Sequence, residues 1–493
     1  MDGKRSLQES VGKNGGAIYS NGDGYWYRIK KKTKHSWRLS CHKDSCRGSA
    51  KILLKLPHRH LVQVAVHSCP ANNNFPAVTK LRHRIMERAA KEMTPLSRIF
   101  FEETTRRDIE PEVASQLKLS SLASAMQKSR QGVRPPEPEN TWDYISSMQE
   151  HEDKYLDIFG ECFLSGVVDD GEGVAVIFIV KQLLKLLEGE GAELHMDNSF
   201  SCAPKTPELK LFTIIAIHQE CAFPVVFCLM SKRTAELYSS IMNHLKEKIP
   251  KLAPQTIVSD YDFELMKAVS DSFPEQEGTI HTGSWFHYAQ SIYKKILQLG
   301  LEELFTSNTL VKKATQMIIS LALLPHEFIE EGMDCIESYF RMAEEISPIH
   351  LEKMDAFFRY VREYWLTKVG SEVFSIFMQR HRASNCQEAH HSRLSGLLGG
   401  NPRPSIWSFQ WCLARIARNA ITDALRLEKG EVIRHRKLKW LLEDKVIKEL
   451  NKKLMAEPPK IGIFQFLSAA ANRCLTKFPT ESTEDGEEDC FAS

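Results

Sequence analysis

ELHMDNSF (193–200), LFTIIAIH (211–218) and AFPVVFCLM (222–230) follow one another with short polar breaks between them. Each is a brief run rich in Val, Ile, Leu and Phe, so the three read as consecutive strands of a meander. TAELYSSIMNHLKEKI (234–249), apolar at helical spacing, leads to a strand TIVSDYD (256–262) and a helix FELMKAVSDSF (263–273). A strand-like GTIHTGSW (278–285) and a helix FHYAQSIYKKILQLG (286–300) close the series. The order βββαβαβα specifies an α/β core, a mixed sheet covered by helices.

Upstream of the meander, VAVIFIVKQLLKLLEG (174–189) reads as an amphipathic run, and residues 300–380, 383–398 and 404–455 read as helical. The stretch RQGVRPPEPEN (130–140), with three prolines, breaks any helix and reads as a linker. Before it, residues 78–128 alternate helical runs such as KLRHRIMERAAKEM with polar breaks, and the turn-like ANNNFP (71–76) closes a basic head. The tail ESTEDGEEDCFAS (481–493) reads as disordered.

Residues 1–70 hold 14 Lys/Arg against 4 Asp/Glu, a net +10 in a chain whose total is +2, so the body is acidic and the head suits a polyanion. No targeting segment or membrane span is visible: the most apolar stretches are interrupted by Lys181 or by His218, Gln219 and Glu220. Twelve Cys, scattered through 493 residues, fit a reducing compartment.

Only one Cys group has ligand spacing. Cys41 and Cys46 (CHKDSC) precede His67-Ser68-Cys69 by about twenty residues, two close pairs across a hairpin-length gap, which can satisfy tetrahedral Zn²⁺, the alternative being unrelated thiols in a basic loop. His58 and His60 are competing ligands. In GYWYRIKKKTKHSWRLSCHKDSCRGSAKI (24–52), Tyr25, Trp26, Tyr27 and Trp37 interleave with Arg28, Lys30, Lys31, Lys32, Lys34 and Arg38, and Arg47 follows Cys46. Such a mixture of aromatic and cationic groups suits a nucleic-acid backbone.

In the body, Asp197 lies in the first strand of the meander and Asp260 at the end of the fourth, with Asp262 and Glu264 as nearby competitors. Paired strands carrying one acid each can hold the divalent cations of a phosphoryl-transfer site.

The head resembles a FLYWCH-type zinc finger over residues 15–72, through Gly24-Tyr25-Trp26-Tyr27, Trp37-Arg38, Cys41, Cys46-Arg47 and His67-Ser68-Cys69-Pro70. Leu39 and Ser40 are inserted before the first Cys, and Cys69 stands where the family ends in His. The body resembles the Mutator-like (MULE) transposase domain over about residues 190–300, through Asp197-Asn198-Ser199-Phe200, Ser259-Asp260-Tyr261-Asp262 and the Thr234-to-Tyr238 helix entry. Asn385-Cys386-Gln387-Glu388 with His391 and Leu394, followed by Pro404-Ser405-Ile406-Trp407, resembles the family's third-acid helix, and the resemblance makes Glu388 the candidate third acid. Asn198 replaces a Gly, and Ser284-Trp285-Phe286-His287 stands where the family has Cys-x-x-His.

These resemblances imply a ribonuclease H-like mixed sheet (141–300) with a helical insertion (301–380). The catalytic-Glu helix and C-terminal helices (381–455) and an acidic tail (478–493) follow; a helical segment with a Pro-rich linker (73–140) connects the finger to the core. They imply a DNA transposase that cleaves and transfers strands, with structural Zn²⁺ on Cys41, Cys46, His67 and Cys69 and catalytic Mg²⁺ or Mn²⁺ on Asp197, Asp260 and Glu388. The partners expected are double-stranded DNA, contacted by Tyr25, Tyr27, Arg28, Lys30, Lys31, Lys32, Lys34, Trp37, Arg38 and Arg47, and further copies of the chain. The compartment expected is the nucleus, with the Arg28–Lys34 cluster doubling as an import signal. The alternative is a silent descendant acting as a DNA-binding regulator.

Overall fold

The computed structural model describes the chain apart from residues 1–6, 13–14, 55–59, 93, 133, 151–156, 159, 189–190, 200–202, 205, 275–277, 343–346, 380–385, 400–403, 434–437 and 474–493. The side chains of residues 157, 199, 387, 388 and 438–440 also lie outside the description. His58, Asn385, the acidic tail and the side chain of Glu388 therefore fall outside the described residues. The chain divides into two compact units, residues 1–136 and 137–493.

The first unit begins with a six-stranded antiparallel sheet in chain order: β1 (Gln8–Val11), β2 (Ala17–Ser20), β3 (Tyr27–Lys32), β4 (Ser36–Cys41), β5 (Ser49–Leu53) and β6 (His60–Ala65). The sheet starts before residue 15, because β1 pairs along its whole length with β2. Its buried core is small: Tyr19, Tyr27, Leu39, Ala50 and Ile52. So little apolar area rarely stabilises a fold without a staple.

Four helices follow: α1 (Phe75–Lys91), α2 (Leu96–Thr104), α3 (Pro111–Ala114) and α4 (Leu119–Gln131). They close over Leu81, Ile85, Ala89, Ile99, Val113, Leu122 and Met126. The sheet is docked on them through Phe75, whose ring lies 4.0 Å from that of His42 and 6.4 Å from that of Trp26, and through the Trp26 indole, which donates to the Asn72 carbonyl at 3.1 Å.

The second unit opens with α5 (Thr141–Glu150) and a two-stranded ribbon, β7 (Asp157–Ile158) and β8 (Glu161–Cys162). The central sheet then contains β9 (Leu164–Asp169), β10 (Val174–Ile179), β11 (Glu193–Ser199), β12 (Lys210–His218), β13 (Cys221–Met230), β14 (Thr256–Ser259) and β15 (Ile280–Gly283), in the order β15-β14-β11-β12-β13-β10-β9. β11, β14 and β15 run parallel, and the remaining pairs are antiparallel.

The run at 174–189 differs from its reading as amphipathic. Val174–Ile179 is a strand buried at every position, and only Lys181–Leu186 coils, as a 3₁₀ helix. A β-branched run covered on both faces has no polar face to show, so its periodicity carries no signal.

The helices α6 (Ala235–Lys248), α7 (Phe263–Ser272) and α8 (Trp285–Gln298) alternate with the strands as expected. The block after them is helical throughout its described length: α9 (Glu302–Ser307), α10 (Thr309–Ser320), α11 (Ile329–Arg341), α12 (Pro348–Tyr360), a π-helical continuation Val361–Gly370, and α13 (Ser371–Phe374). The chain then returns to the sheet with α14 (Cys386–Leu397) and α15 (Ile406–Glu428), and ends its described part in α16 (Leu438–Leu454) and α17 (Ile463–Ala471). Trp407 and Phe409 of α15 are buried in the sheet's core, and Trp365 of the π-helical turn in the core of the helical block.

Candidate functional site

In the first unit, Cys41 ends β4, Cys46 closes the following turn, and His67 and Cys69 lie just beyond β6. Their ligand atoms all fall within 4.8 Å of one another. Cys41 Sγ is 3.8 Å from Cys69 Sγ, and His67 Nδ1 is 3.4 Å from Cys46 Sγ and 3.6 Å from Cys69 Sγ. These are tetrahedron edges: ligands about 2.3 Å (S) and 2.0–2.1 Å (N) from zinc stand about 3.5–3.8 Å apart.

Backbone N–H groups converge on the sulfurs, from Lys43 to Cys41 at 3.4 Å and from Gly48 and Ser68 to Cys46 at 3.4 and 3.3 Å. Burial pushes the Cys41 thiol up to about 12. For Cys46 burial works the same way, but the hydrogen bonds from Gly48, Ser68 and Cys69 outweigh it and bring the thiol down to about 5. A cation at the centre would favour the thiolate of Cys41 against its burial. Gly48 is required beside the site, since a Cβ there would enter the His67 ring.

Seven cations expected on DNA are exposed on this sheet: Arg28, Lys30, Lys31, Lys32, Lys34, Arg38 and Arg47. The aromatics expected with them are not. Tyr27 is completely buried, Tyr25 stacks on His67 with centroids 4.1 Å apart, and half-buried Trp37 lies under Lys32 at 4.7 Å. Tyr25 and Tyr27 both pack on the ring of His67, and a completely buried Tyr27 cannot reach DNA, which removes it from the expected DNA-contacting set. A core this small recruits the large apolar rings before a ligand can.

In the second unit, the parallel register pairs Met196 of β11 with Ser259 of β14. The next residue on each strand is therefore an acid with the other for a neighbour: Asp197 and Asp260. Asp197 is 3% exposed. Burial, then the charge of Asp260, raises its carboxyl well above the ordinary range. Burial, then the charge of Asp262, raises Asp260 to about 6.

Asn198 braces the pair. Its amide nitrogen faces Asp260 Oδ2 at 3.5 Å, while its side-chain oxygen accepts from the Tyr238 hydroxyl at 2.9 Å. The competitors are occupied elsewhere, Asp262 as the cap of α7 and Glu264 accepting from Ala235 N at 3.0 Å.

Helix α14 brings the third-acid segment to this place. Its first residue, Cys386, meets His195 of β11, and its His391 Nε2 lies 3.9 Å from Asp197 Oδ2. Glu388 is on this helix, one turn before His391, and its side chain is outside the described residues. Burial lowers both His391 and His287 to about 4, so both imidazoles are neutral. Among the described residues, His391 Nε2 and His287 Nδ1 are buried without a hydrogen-bond partner.

Two adjoining carboxylates, with the buried His391 ring 3.9 Å from one of them, are donor types that a divalent cation takes. Sequence reasoning had no signal for His195 and Cys386, whose meeting depends on how α14 returns to the sheet.

Residues 193–290, from the first residue of β11 to the first turns of α8, match the family model of the MULE transposase domain. This segment contains Asp197, Asn198, Asp260 and His287. No curated protein matches the chain.

Proposed function

We propose that the chain is a Mutator-like DNA transposase whose core is ribonuclease H-like, with Asp197, Asp260 and Glu388 holding Mg²⁺ or Mn²⁺. The observation that carries this reading is the adjoining pair of buried Asp197 and half-buried Asp260, held side by side by strand register inside the segment that matches the MULE transposase domain. The strand order β13-β12-β11-β14-β15, with β12 antiparallel to its neighbours, supports the ribonuclease H-like reading. When bound, the cations would supply the positive charge that activates a water or 3′-hydroxyl and stabilises the leaving oxygen of an in-line displacement.

The chain's own residues prepare that site. The raised proton affinity of the pair means that its charge is stable only when compensated. Asn198, fixed by Tyr238, holds Asp260 in one orientation. The Cys386–His195 contact seats α14 and with it the backbone of Glu388.

The head is read as a FLYWCH-type zinc finger that recognises double-stranded DNA through its exposed cations, and the protein as nuclear and able to self-associate. Asn198 in place of Gly, and Ser284 in place of Cys at the start of α8, support a second reading: a silent, DNA-binding regulator that retains the ligands.

Metal-dependent cleavage of a DNA end by the full-length protein separates the two readings. Cleavage lost in Asp197→Asn and Asp260→Asn, with zinc content and DNA binding retained, supports the transposase. Cleavage that survives both substitutions refutes the assignment, and DNA binding without cleavage under any metal favours the regulator.

A further inference from the structure

Asp197 divides its two oxygens. Oδ1 accepts from the Asn198 N–H at 2.7 Å, and Oδ2 is the oxygen that faces His391 Nε2 at 3.9 Å. That gap is too wide for a hydrogen bond, which ends near about 3.5 Å. It suits two donors of one cation, since a nitrogen about 2.0–2.1 Å and an oxygen about 2.0–2.2 Å from an ion can stand up to about 4.3 Å apart. Nε2 of His391 is also buried with no hydrogen-bond partner among the described residues. A buried polar atom without a partner calls for a reason, and ligation of an ion is one.

The ring is aimed by a firmly seated helix. Cys386, His390 and Leu394 follow at intervals of four along α14 and are all buried. Cys386 meets His195, the His390 ring lies 5.7 Å from that of Phe227 on β13, and Leu394 joins the core of the sheet. His391 comes one residue after His390, about 100° further around the helix, so this stripe fixes its direction.

A second imidazole belongs to the same rim. β15 runs parallel to β14, and Ser284 N, just beyond β15, donates at 2.7 Å to the carbonyl of Ser259, the residue before Asp260. His287 stands in the first turn of α8, its Nδ1 buried and unpartnered among the described residues. The parallel strands β11, β14 and β15 thus lead to Asp197, Asp260 and the His287 turn at one edge of the sheet, where open α/β sheets place their ligands. Unlike the four ligands of the head, Asp197, Asp260 and His391 do not all lie within 4.8 Å of one another. The carboxylate that an ion on His391 would share is therefore that of Asp197.

Carboxylates alone hold Mg²⁺ and Mn²⁺ through oxygen, whereas an imidazole nitrogen favours transition metals. We propose that His391 is a metal ligand of this site, sharing its ion with Asp197, and that it makes the site select Mn²⁺ over Mg²⁺. The inference rests on the proposed function, which takes the carboxylates as cation ligands, and adds to it a nitrogen donor and a metal preference.

The test uses full-length protein with its head zinc-loaded, and Mn²⁺ and Mg²⁺ as probes. Pulsed electron paramagnetic resonance of bound Mn²⁺ should show coupling to an imidazole nitrogen in the wild type, a readout independent of cleavage. His391→Gln should abolish that coupling and lower Mn²⁺ affinity at least about tenfold, while Mg²⁺ affinity changes by less than about threefold. Melting in chelated buffer checks that the variant is folded, and the wild-type spectrum needs no variant at all.

Mn²⁺ that depends on Asp197 but shows no nitrogen coupling, and binds His391→Gln as tightly as the wild type, overturns this inference and leaves the carboxylate site standing. Coupling lost in His287→Gln and kept in His391→Gln assigns the nitrogen to α8 and also overturns it. Mn²⁺ affinity unchanged in Asp197→Asn overturns the proposed metal site together with this inference.

Discussion

The Sγ of Cys386 lies 3.4 Å from Nδ1 of His195, and Nε2 of the same ring lies 2.8 Å from Glu193 Oε1. This buried line ties the first residue of α14 to a point two residues before Asp197. Burial opposes charging of His195, but Cys386 and then Glu193 outweigh it and push the imidazole up to about 10. Cys386→Ala should leave a buried ring nitrogen unsatisfied and cost about 1–3 kcal/mol. Thermal unfolding of the full chain checks the cost. A fall in cleavage larger than the loss of folded protein would show that the contact positions α14, and an unchanged rate would refute that role.

The acidic pair should make the metal-free protein less stable as pH rises. Asp197 and Asp260 hold protons more tightly folded than unfolded, so their contribution is greatest below about pH 4 and is lost as pH passes through about 6. Asp260→Asn removes the Asp260 share of this dependence and the charge that Asp197 faces, leaving the part due to the burial of Asp197. In chelated buffer the variant is expected to melt above the wild type at neutral pH by up to about 3 kcal/mol, the size of a shift of about two units, and to match it near pH 4. Adding Mn²⁺ should reverse the order, because only the wild type then gains binding energy. Identical melting curves across this range would count against an interacting pair.

Zinc removal should unfold the sheet β1–β6 and leave the second unit intact. The core of Tyr19, Tyr27, Leu39, Ala50 and Ile52 is too small to persist without the four ligands. One zinc per chain by elemental analysis, and loss of Trp26 and Trp37 packing on chelation, are the expected readouts. A Cys46→Ser protein that keeps both its zinc and its near-ultraviolet signal would refute the assignment.

Gly283 should tolerate no side chain, because a Cβ there would enter the ring of Tyr261. That ring cannot swing away, since it packs edge-on to Trp365 with centroids 4.7 Å apart. Gly283→Ala is expected to cost about 1–3 kcal/mol by overpacking and to displace Asp260, the neighbour of Tyr261. A drop in both Tm and Mn²⁺ affinity is the signature; normal values for both would show that the loop yields.

The sequence by itself determined the strand and helix order from 193 to 300, because turn residues punctuate those elements and each is long enough to show its period. It also pointed to Cys41, Cys46, His67 and Cys69, whose spacing and chemistry are local. Tertiary structure alone decided that Tyr27 is core and not surface, since burial depends on what the rest of a small sheet can supply. It alone decided the character of β10, whose residues are covered from both sides and therefore lack alternation. The pairing of Asp197 with Asp260, and the return of α14 to His195, rest on strand register and on a chain reversal across the helical block. Neither leaves a periodic trace in the sequence, because contacts between distant segments are set by how packed surfaces meet and not by the order of residues within either one.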